Sequence, residues 1–288
     1  MTSARIYSPF TRRLLGALIF GALAVGSSVR AHEDILLRIG ELDKEIGDGE
    51  TSPALLVHRA ALYLEHKDWN RSLADYRAAI AAAPDLTTAH LGMAQCYLGK
   101  GKVESGLAEV GTFLKASGDD HQGLLTRARL RVAQGQLSAA SADYRSALAQ
   151  LPGKEHRVEI YFEWASHLSA RGAERYADAL QVLDGAAETL GQNVALQELA
   201  IRIEISSGNP EGALTRIDSL LDGSLRGSPG WILRRAEILQ ASGKTEEALE
   251  AYRQTLASIY KIPARRRMVT AIRALEEKAT AQIAKLES

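Results

Sequence analysis

Small and aromatic residues recur at intervals of 34 positions in the first half of this 288-residue chain. Three series share that step and keep one register: Ala60, Ala94 and Ala128; Ser72, Gly106 and Ala140; Tyr76, Val110 and Tyr144. Three series with one period predict tandem copies of a single structural unit. The two small residues of each copy are 12 positions apart.

The spacing of the apolar residues predicts a pair of amphipathic helices in each unit. In the last unit, Leu233, Ala236 and Leu239 precede Gly243, and a second helical set follows it: Ala248, Leu249, Tyr252 and Leu256. The intervening turn folds the two helices into a hairpin. One hairpin cannot bury both of its apolar faces, so the hairpins are expected to stack in series.

This pattern resembles the tetratricopeptide repeat family, whose paired antiparallel helices A and B each carry a small residue where they cross. The matching positions of the first unit are Leu56, Ala60 and Tyr63 on helix A, and Ser72, Tyr76, Ala79 and Pro84 on helix B. The resemblance covers residues 51–262 as about six repeats. Each of the three later repeats also keeps two alanines: Ala165 and Ala179, Ala200 and Ala213, and Ala236 and Ala248. The two alanines of these repeats are 14, 13 and 12 positions apart, respectively. The resemblance implies an all-α, right-handed solenoid of helical hairpins.

Both ends of such a stack need a covering helix. Residues 32–50 are predicted to form an N-terminal capping helix from apolar residues at helical spacing: Ile35, Leu36, Ile39, Leu42 and Ile46. Residues 263–288 are predicted to form a C-terminal capping helix that Pro263 can open. Its apolar stripe would consist of Met268, Ile272, Leu275, Ala279 and Ile283.

Residues 1–31 have the three parts of a cleavable signal peptide. Arg5, Arg12 and Arg13 precede an uncharged apolar run over residues 14–25, and small residues then lead to Ala31, after which cleavage is expected. The run is shorter than the ~20 residues that span a bilayer, so no stable membrane span is expected after cleavage. We therefore expect a periplasmic or secreted protein, exported by either the general secretory or the twin-arginine route.

Charge and motif content argue against two classes of function. Removing the four arginines of the signal segment from 35 basic residues leaves 31 against 35 acidic ones, so no nucleic-acid partner is expected. No Gly-x-Ser-x-Gly, His-Glu-x-x-His or glycine-rich dinucleotide motif occurs in the sequence. We expect neither catalytic residues nor a cofactor, and we expect Cys96, the single cysteine, to be a small buried side chain.

Two alternative functions stay open at this point. His32 would be the first residue after cleavage, and its free amine and imidazole together could chelate copper, which binds nitrogen ligands well. A metal-handling protein is therefore the first alternative. An enzyme with a site of unfamiliar type is the second, although no residue pattern indicates one.

The resemblance implies that helix A of each repeat lines a concave groove, which is the usual ligand surface of the family. Projecting the register onto this chain places nine residues there: Val57, His58, Ala61, Leu91, Gln95, Thr126, Arg129, Phe162 and Glu163. These residues are mixed in character and lack the lysine and asparagine set of the relatives that clamp a C-terminal carboxylate. We therefore expect a scaffold for protein–protein interaction that binds an extended peptide or a partner helix.

Overall fold

The computed structural model describes residues 33–47, 52–151 and 157–288, and these residues are helical with no β-strand among them. Consecutive helices pack in pairs. The predicted fold class, a solenoid of tetratricopeptide-type helical hairpins, is confirmed. The chain divides after Gln150 into two compact units, unit 1 and unit 2.

Unit 1 contains seven helices within the described residues. Helix α1 covers residues 33–47. Three hairpins follow it: α2 (Pro53–Glu65) with α3 (Trp69–Ala82), α4 (Thr87–Gly99) with α5 (Val103–Ser117), and α6 (His121–Ala133) with α7 (Leu137–Gln150). The first helices of neighbouring hairpins also contact each other, so α2 packs on α4 and α4 packs on α6.

Side-chain caps define where several of these helices begin. Ser52 Oγ accepts a hydrogen bond from the Leu55 amide at 3.2 Å, and Pro53 occupies the first helical position, where a missing N–H costs nothing. Asp68 Oδ1 caps α3 by accepting from the Arg71 amide at 3.2 Å. Asp120 caps α6 through the amides of Gln122 and Gly123. These side chains satisfy first-turn amides that have no partner within the helix.

The small residues of the repeat lie where the two helices of a hairpin cross. Ala60, Ala94 and Ala128 are all fully buried. Ser72 Oγ donates to the Ala60 carbonyl at 2.7 Å, so the two backbones approach closely. At Gly106 of α5, a Cβ atom would lie 3.4 Å from the Ala94 carbonyl oxygen of α4, and 2.6 Å from a methyl group of Leu130 in the next hairpin. The alanine and Ser72 series therefore recur because larger side chains would force the helices apart.

The aromatic positions join one hairpin to the next. Tyr76 of α3 is buried, and its ring lies against Gly92 of α4, where a Cβ atom would be only 2.2 Å from the ring. Tyr144, the equivalent residue of α7, is also fully buried. The ring of Tyr76 therefore requires the glycine at position 92 of the following helix.

Helix α1 covers the outer face of the first hairpin of unit 1. Ile39 and Leu42 form a buried cluster with Leu62 and Tyr63 of α2. Arg59 of α2 also donates to Asp43 of α1, with Nη1 and Oδ1 2.7 Å apart. The apolar contact removes from solvent a face of α2 that no preceding hairpin covers.

Unit 2 contains three further hairpins and a C-terminal segment within the described residues. The hairpins are α8 (Arg157–Ser169) with α9 (Tyr176–Leu190), α10 (Val194–Ser206) with α11 (Pro210–Asp222), and α12 (Pro229–Ala241) with α13 (Thr245–Tyr260). The additional turn residues between α8 and α9 form a short 3₁₀ helix, Ala173–Arg175. Gly208 has a φ of 75°, and Asn209 then caps α11 through the Gly212 amide.

The C-terminal segment forms two helices and not one continuous helix from Pro263. Helix α14 (Ala264–Arg267) is a single turn, Val269 is extended, and α15 (Thr270–Glu287) follows. Met268 lies between them and is 70% exposed, so it is not part of the buried stripe. Leu275, Ala279 and Ile283 of α15 pack against the core of α12 and α13.

Candidate partner-binding surfaces

Three helices of unit 1 share an exposed face, which we call the A-helix surface of unit 1. Helix α2 buries Leu56, Ala60, Leu62 and Tyr63, and its opposite face stays exposed. At the 34-residue step, Ala54 is followed by Thr88 and Gln122, and Ala61 by Gln95 and Arg129, whereas the positions equivalent to His58 are the buried Gly92 and Thr126. The surface consists of Ala54, His58, Ala61, Glu65, Thr88, Gln95, Gln122, Arg129 and Ala133, all exposed or half-buried.

Five of the seven groove residues predicted in unit 1 are exposed or half-buried. His58 and Ala61 are exposed, and Gln95 and Arg129 are half-buried, so all four lie on the A-helix surface. Val57 is half-buried and packs against a cluster that includes Met93.

Two of the predicted groove residues in unit 1 are buried. Leu91 belongs to the cluster that contains Val110 and Phe113. Thr126 is only 1% exposed, and its hydroxyl donates to the Gln122 carbonyl of the preceding turn at 2.8 Å. These two side chains pack beneath the A-helix surface. A ligand on that surface would therefore contact adjacent residues and not Leu91 or Thr126.

Phe162 and Glu163 lie on α8 and therefore belong to unit 2. Phe162 is 38% exposed, and it precedes Ala165 by three residues, as Val57 precedes Ala60. Helix α8 contacts α10, whose exposed stripe consists of Ala195, Glu198, Arg202 and Ile205. Together these residues form the A-helix surface of unit 2, which is more charged than that of unit 1.

Ion pairs between the two helices of a hairpin are a feature that the sequence analysis missed. Arg59 holds Asp75 with Nε and Oδ2 2.7 Å apart, and Arg127 holds Asp143 with Nη2 and Oδ1 also 2.7 Å apart. Asp143 is 4% exposed and pairs with Arg131 as well. Hydrogen bonding to Asp75 raises the pKa of Arg59 and keeps its guanidinium charged. These carboxylates therefore fix the angle between two helices and are not free for catalysis.

A sequence signal for these pairs exists. The dipeptides Arg59-Ala60 and Asp75-Tyr76 recur as Arg127-Ala128 and Asp143-Tyr144, two repeats further on. The middle repeat has Met93 in place of the arginine, and its Glu109 instead pairs with His90 at 2.7 Å.

Unit 2 contains a related arrangement around Arg216 of α11. Its guanidinium lies 2.8 Å from Asp184 Oδ1 and 3.2 Å from Glu204 Oε1. Burial alone would lower the pKa of Arg216, but the two carboxylates outweigh that effect and raise it. The cation is therefore locked between three helices of the unit.

Cys96 is fully buried, as predicted. Its Sγ donates to Ser72 Oγ at 3.1 Å, and burial raises the pKa of the thiol. A buried thiol that stays protonated is a poor nucleophile. Cys96 is therefore a packing residue at the α3–α4 contact.

Residues 33–47, 52–151 and 157–288 contain no group of three or more His, Cys, Asp or Glu side chains that could hold a metal ion. His32, the candidate copper ligand, lies outside these residues. Among the described helices, none combines the length and the apolar character needed to cross a bilayer.

Comparison with known proteins defines the class of fold. The chain matches no family model. It is 25% identical over 154 residues to the human protein DnaJ homolog subfamily C member 3 (Homo sapiens), a match that covers 50% of this chain and 31% of that relative. The rat protein of the same name matches with the same identity and coverage. The chain thus spans about a third of the length of these relatives.

Two solved structures share the fold at low sequence identity. The C-terminal part of a TPR repeat-containing protein from Cytophaga hutchinsonii superimposes with a TM-score of 0.54 and 13% identity, over 80% of this chain and 95% of that chain. A chain in the structure of Naa15/Naa10 bound to HypK-THB superimposes with a TM-score of 0.51 and 16% identity, over 82% and 34% of the two chains. The chain therefore has the helical-hairpin fold of tetratricopeptide repeat proteins.

Proposed function

We propose that this chain is an exported scaffold that holds another protein against the first helices of its hairpins. The observation that carries the proposal is the A-helix surface of unit 1, whose rows keep the 34-residue step yet take little part in the core. Accessible positions that recur in register on neighbouring repeats form a surface that a partner can contact. The neighbouring fold in Naa15/Naa10 bound to HypK-THB also occurs within a protein assembly.

The chemistry of this surface favours an extended peptide. Ala54, Ala61 and Ala133 have small side chains, so a peptide backbone can approach the helices closely. Gln95 and Gln122 carry amides that both donate and accept, as the peptide N–H and C=O groups require. Such a surface would recognise main chain at several points and derive selectivity from His58, Glu65 and Arg129 at its margins.

Site-specific photocrosslinking tests this assignment. A photoreactive amino acid at position 61 of α2, introduced in cells that produce the full chain, is expected to give discrete adducts with envelope proteins. The matched control places it at position 78, because Ala78 is an exposed alanine on α3 of the same hairpin. Adducts of equal yield at both positions, or at position 78 alone, would show that the partner does not bind the first helices.

Export is the second part of the proposal, and it rests on the arrangement of residues 1–31. Arginines followed by an uncharged run and small residues are typical of cleavable signals. The protein recovered from a periplasmic extract is expected to begin at His32 when its N-terminus is sequenced. Recovery in the cytosol with residues 1–31 intact would contradict export by this signal.

A further inference from the structure

The segment that joins α13 to α15 combines unpaired cations with exposed apolar side chains. Residues 254–275 contain five basic residues and no acidic one: Lys261, Arg265, Arg266, Arg267 and Arg273. The rest of the sequence has 30 basic and 35 acidic residues in total. A concentration of one sign of charge in one short segment favours an anionic partner.

The structure leaves these cations available. Arg253, just before the segment, is paired with Glu287 at 2.7 Å. By contrast, none of the five cations has a carboxylate within ion-pair distance among the residues described. Glu276, the next acid along the chain, bonds to the Tyr260 hydroxyl and raises the pKa of that group. The positive charge is therefore not neutralised by the protein itself.

Apolar side chains project beside the cations. Met268 is 70% exposed and Val269 is 56% exposed, and they occupy the break between α14 and α15. Tyr260 is 55% exposed, and the Arg267 guanidinium lies over its ring at 5.5 Å from the centroid. This contact ties the turn of α14 to the end of α13, so the segment presents Arg265, Arg266, Met268 and Val269 from an ordered turn.

We propose that residues 261–273 dock on the surface of an anionic phospholipid membrane. Cations attract the lipid headgroups, and apolar tips enter the boundary between the headgroups and the acyl chains. An acidic protein or a nucleic acid would use the arginines but would not require Met268 and Val269 to point outward together. The exposed apolar pair is therefore the observation that favours a lipid surface over these other anionic partners.

Fluorescence at position 268 reports this docking directly in the full chain. The Met268→Cys variant takes a polarity-sensitive thiol dye there, since Cys96 is fully buried and does not react in the folded protein. With vesicles of phosphatidylglycerol and phosphatidylcholine in about equal amounts, the emission is expected to shift to the blue, and phosphatidylcholine alone should leave it unchanged. The same dye on Ser105→Cys, an exposed position of α5, should not shift with either vesicle.

A charge-reversal pair measures the contribution of the arginines. Arg265→Glu with Arg266→Glu is expected to weaken vesicle binding in a sedimentation assay at least about 30-fold, since each cation contributes roughly fivefold at an anionic surface. Lys44→Glu with Lys115→Glu changes the net charge equally at two exposed sites of unit 1 and should have little effect. Met268→Ser with Val269→Ser, which keeps every charge, should also weaken binding, by about tenfold.

Three results would overturn the proposal. The first is an unchanged emission of the dye at position 268 with anionic vesicles, even if the chain sediments with them through another segment. The second is a blue shift of equal size with poly-glutamate or with duplex DNA at the same charge concentration, which would assign the segment to those partners. The third is equal binding by the two charge-reversal pairs.

Discussion

Lys67 has a left-handed backbone with a φ of 62°, at the turn between α2 and α3. The equivalent positions of the next two hairpins are Gly101 and Gly135, with φ values of 67° and 82°. Glycine has no Cβ and adopts this conformation without strain, whereas an L side chain there is disfavoured. The first hairpin therefore accepts local strain that the other hairpins of unit 1 avoid.

Replacement of Lys67 by glycine is expected to stabilise unit 1 by about 0.5–1 kcal/mol. The relief of backbone strain in the folded state exceeds the cost of the greater conformational entropy that glycine gives the unfolded chain. The reverse change, Gly135→Lys, should destabilise the unit by about 1 kcal/mol at the matching turn. Urea denaturation followed by circular dichroism measures both. A lower denaturation midpoint for Lys67→Gly would contradict the assignment of strain.

Tyr76 is a second residue whose environment has a measurable consequence. Burial raises the pKa of its hydroxyl above the ordinary value for tyrosine, and the nearby Cys96 raises it further. The folded protein therefore holds this proton in a range of pH where the unfolded chain releases it. Stability contributed by the neutral hydroxyl is present below about pH 10 and is lost as the pH rises above that value.

The Tyr76→Phe variant should resist alkali better than the unchanged protein. Between pH 9 and pH 11, the unchanged protein is expected to lose about 1.4 kcal/mol more of its unfolding free energy, the amount that one pKa unit represents. Denaturation at a series of pH values, with both proteins compared at neutral pH as the reference, gives this difference. Parallel profiles would mean that the Tyr76 hydroxyl ionises equally easily in the folded state.

Pairs of helices are held by more than apolar contact. Asp143 of α7 is nearly inaccessible and accepts from both Arg127 and Arg131 of α6. Asp218 of α11 pairs with Arg235 of α12 at 2.6 Å, but the carboxylate is 46% exposed. A pair that is buried loses much more when one partner is removed, because water cannot replace the missing charge.

The Asp143→Asn variant is expected to destabilise unit 1 by about 2–3 kcal/mol, since two arginines then face a neutral amide in a buried position. Asp218→Asn, the matched control in unit 2, should change stability by less than about 1 kcal/mol. Thermal denaturation of the two variants makes the comparison. Equal losses would show that burial of the carboxylate has no influence on the strength of the pair.

At the scale of the whole molecule, each hairpin depends on what covers it. Within unit 2, Leu275, Ala279 and Ile283 of α15 complete the core that α12 and α13 begin. Within unit 1, Ile39 and Leu42 of α1 cover α2. A stacked array has stability only where each apolar face meets a neighbour, so its last hairpin needs a closing helix.

Charging the inner face of α15 tests this dependence. Leu275→Asp with Ile283→Asp should release the helix from α13 and remove roughly 3 kcal/mol of apolar burial, so amides of α12 and α13 exchange about 100-fold faster. The control, Ala274→Asp with Ala284→Asp, places two charges on the exposed face of the same helix. Hydrogen exchange measured by mass spectrometry distinguishes the two variants, and unchanged protection of α13 in the first would contradict a closing role.

The repeat and the hairpin fold could be predicted from the amino-acid sequence. Ala60, Ser72 and Tyr76 recur at one step because closely crossing helices accept few side chains, and that restriction is visible without coordinates. Exposed candidates such as His58 and Ala61 followed from the same register. The boundaries of the domains, the signal segment and the groove as a binding site stay predictions.

Which candidate side chains are buried and which charges are paired depends on how the helices pack in three dimensions. Thr126 is buried although the equivalent residue of α2, His58, is exposed, and Leu91 is buried although the equivalent Val57 is half-buried. The pairing of Asp143 with Arg127 and Arg131, and the break that exposes Met268, also appear only in three dimensions. Periodicity records which face a residue occupies along its own helix, whereas burial and pairing depend on what the neighbouring helices bring against that face.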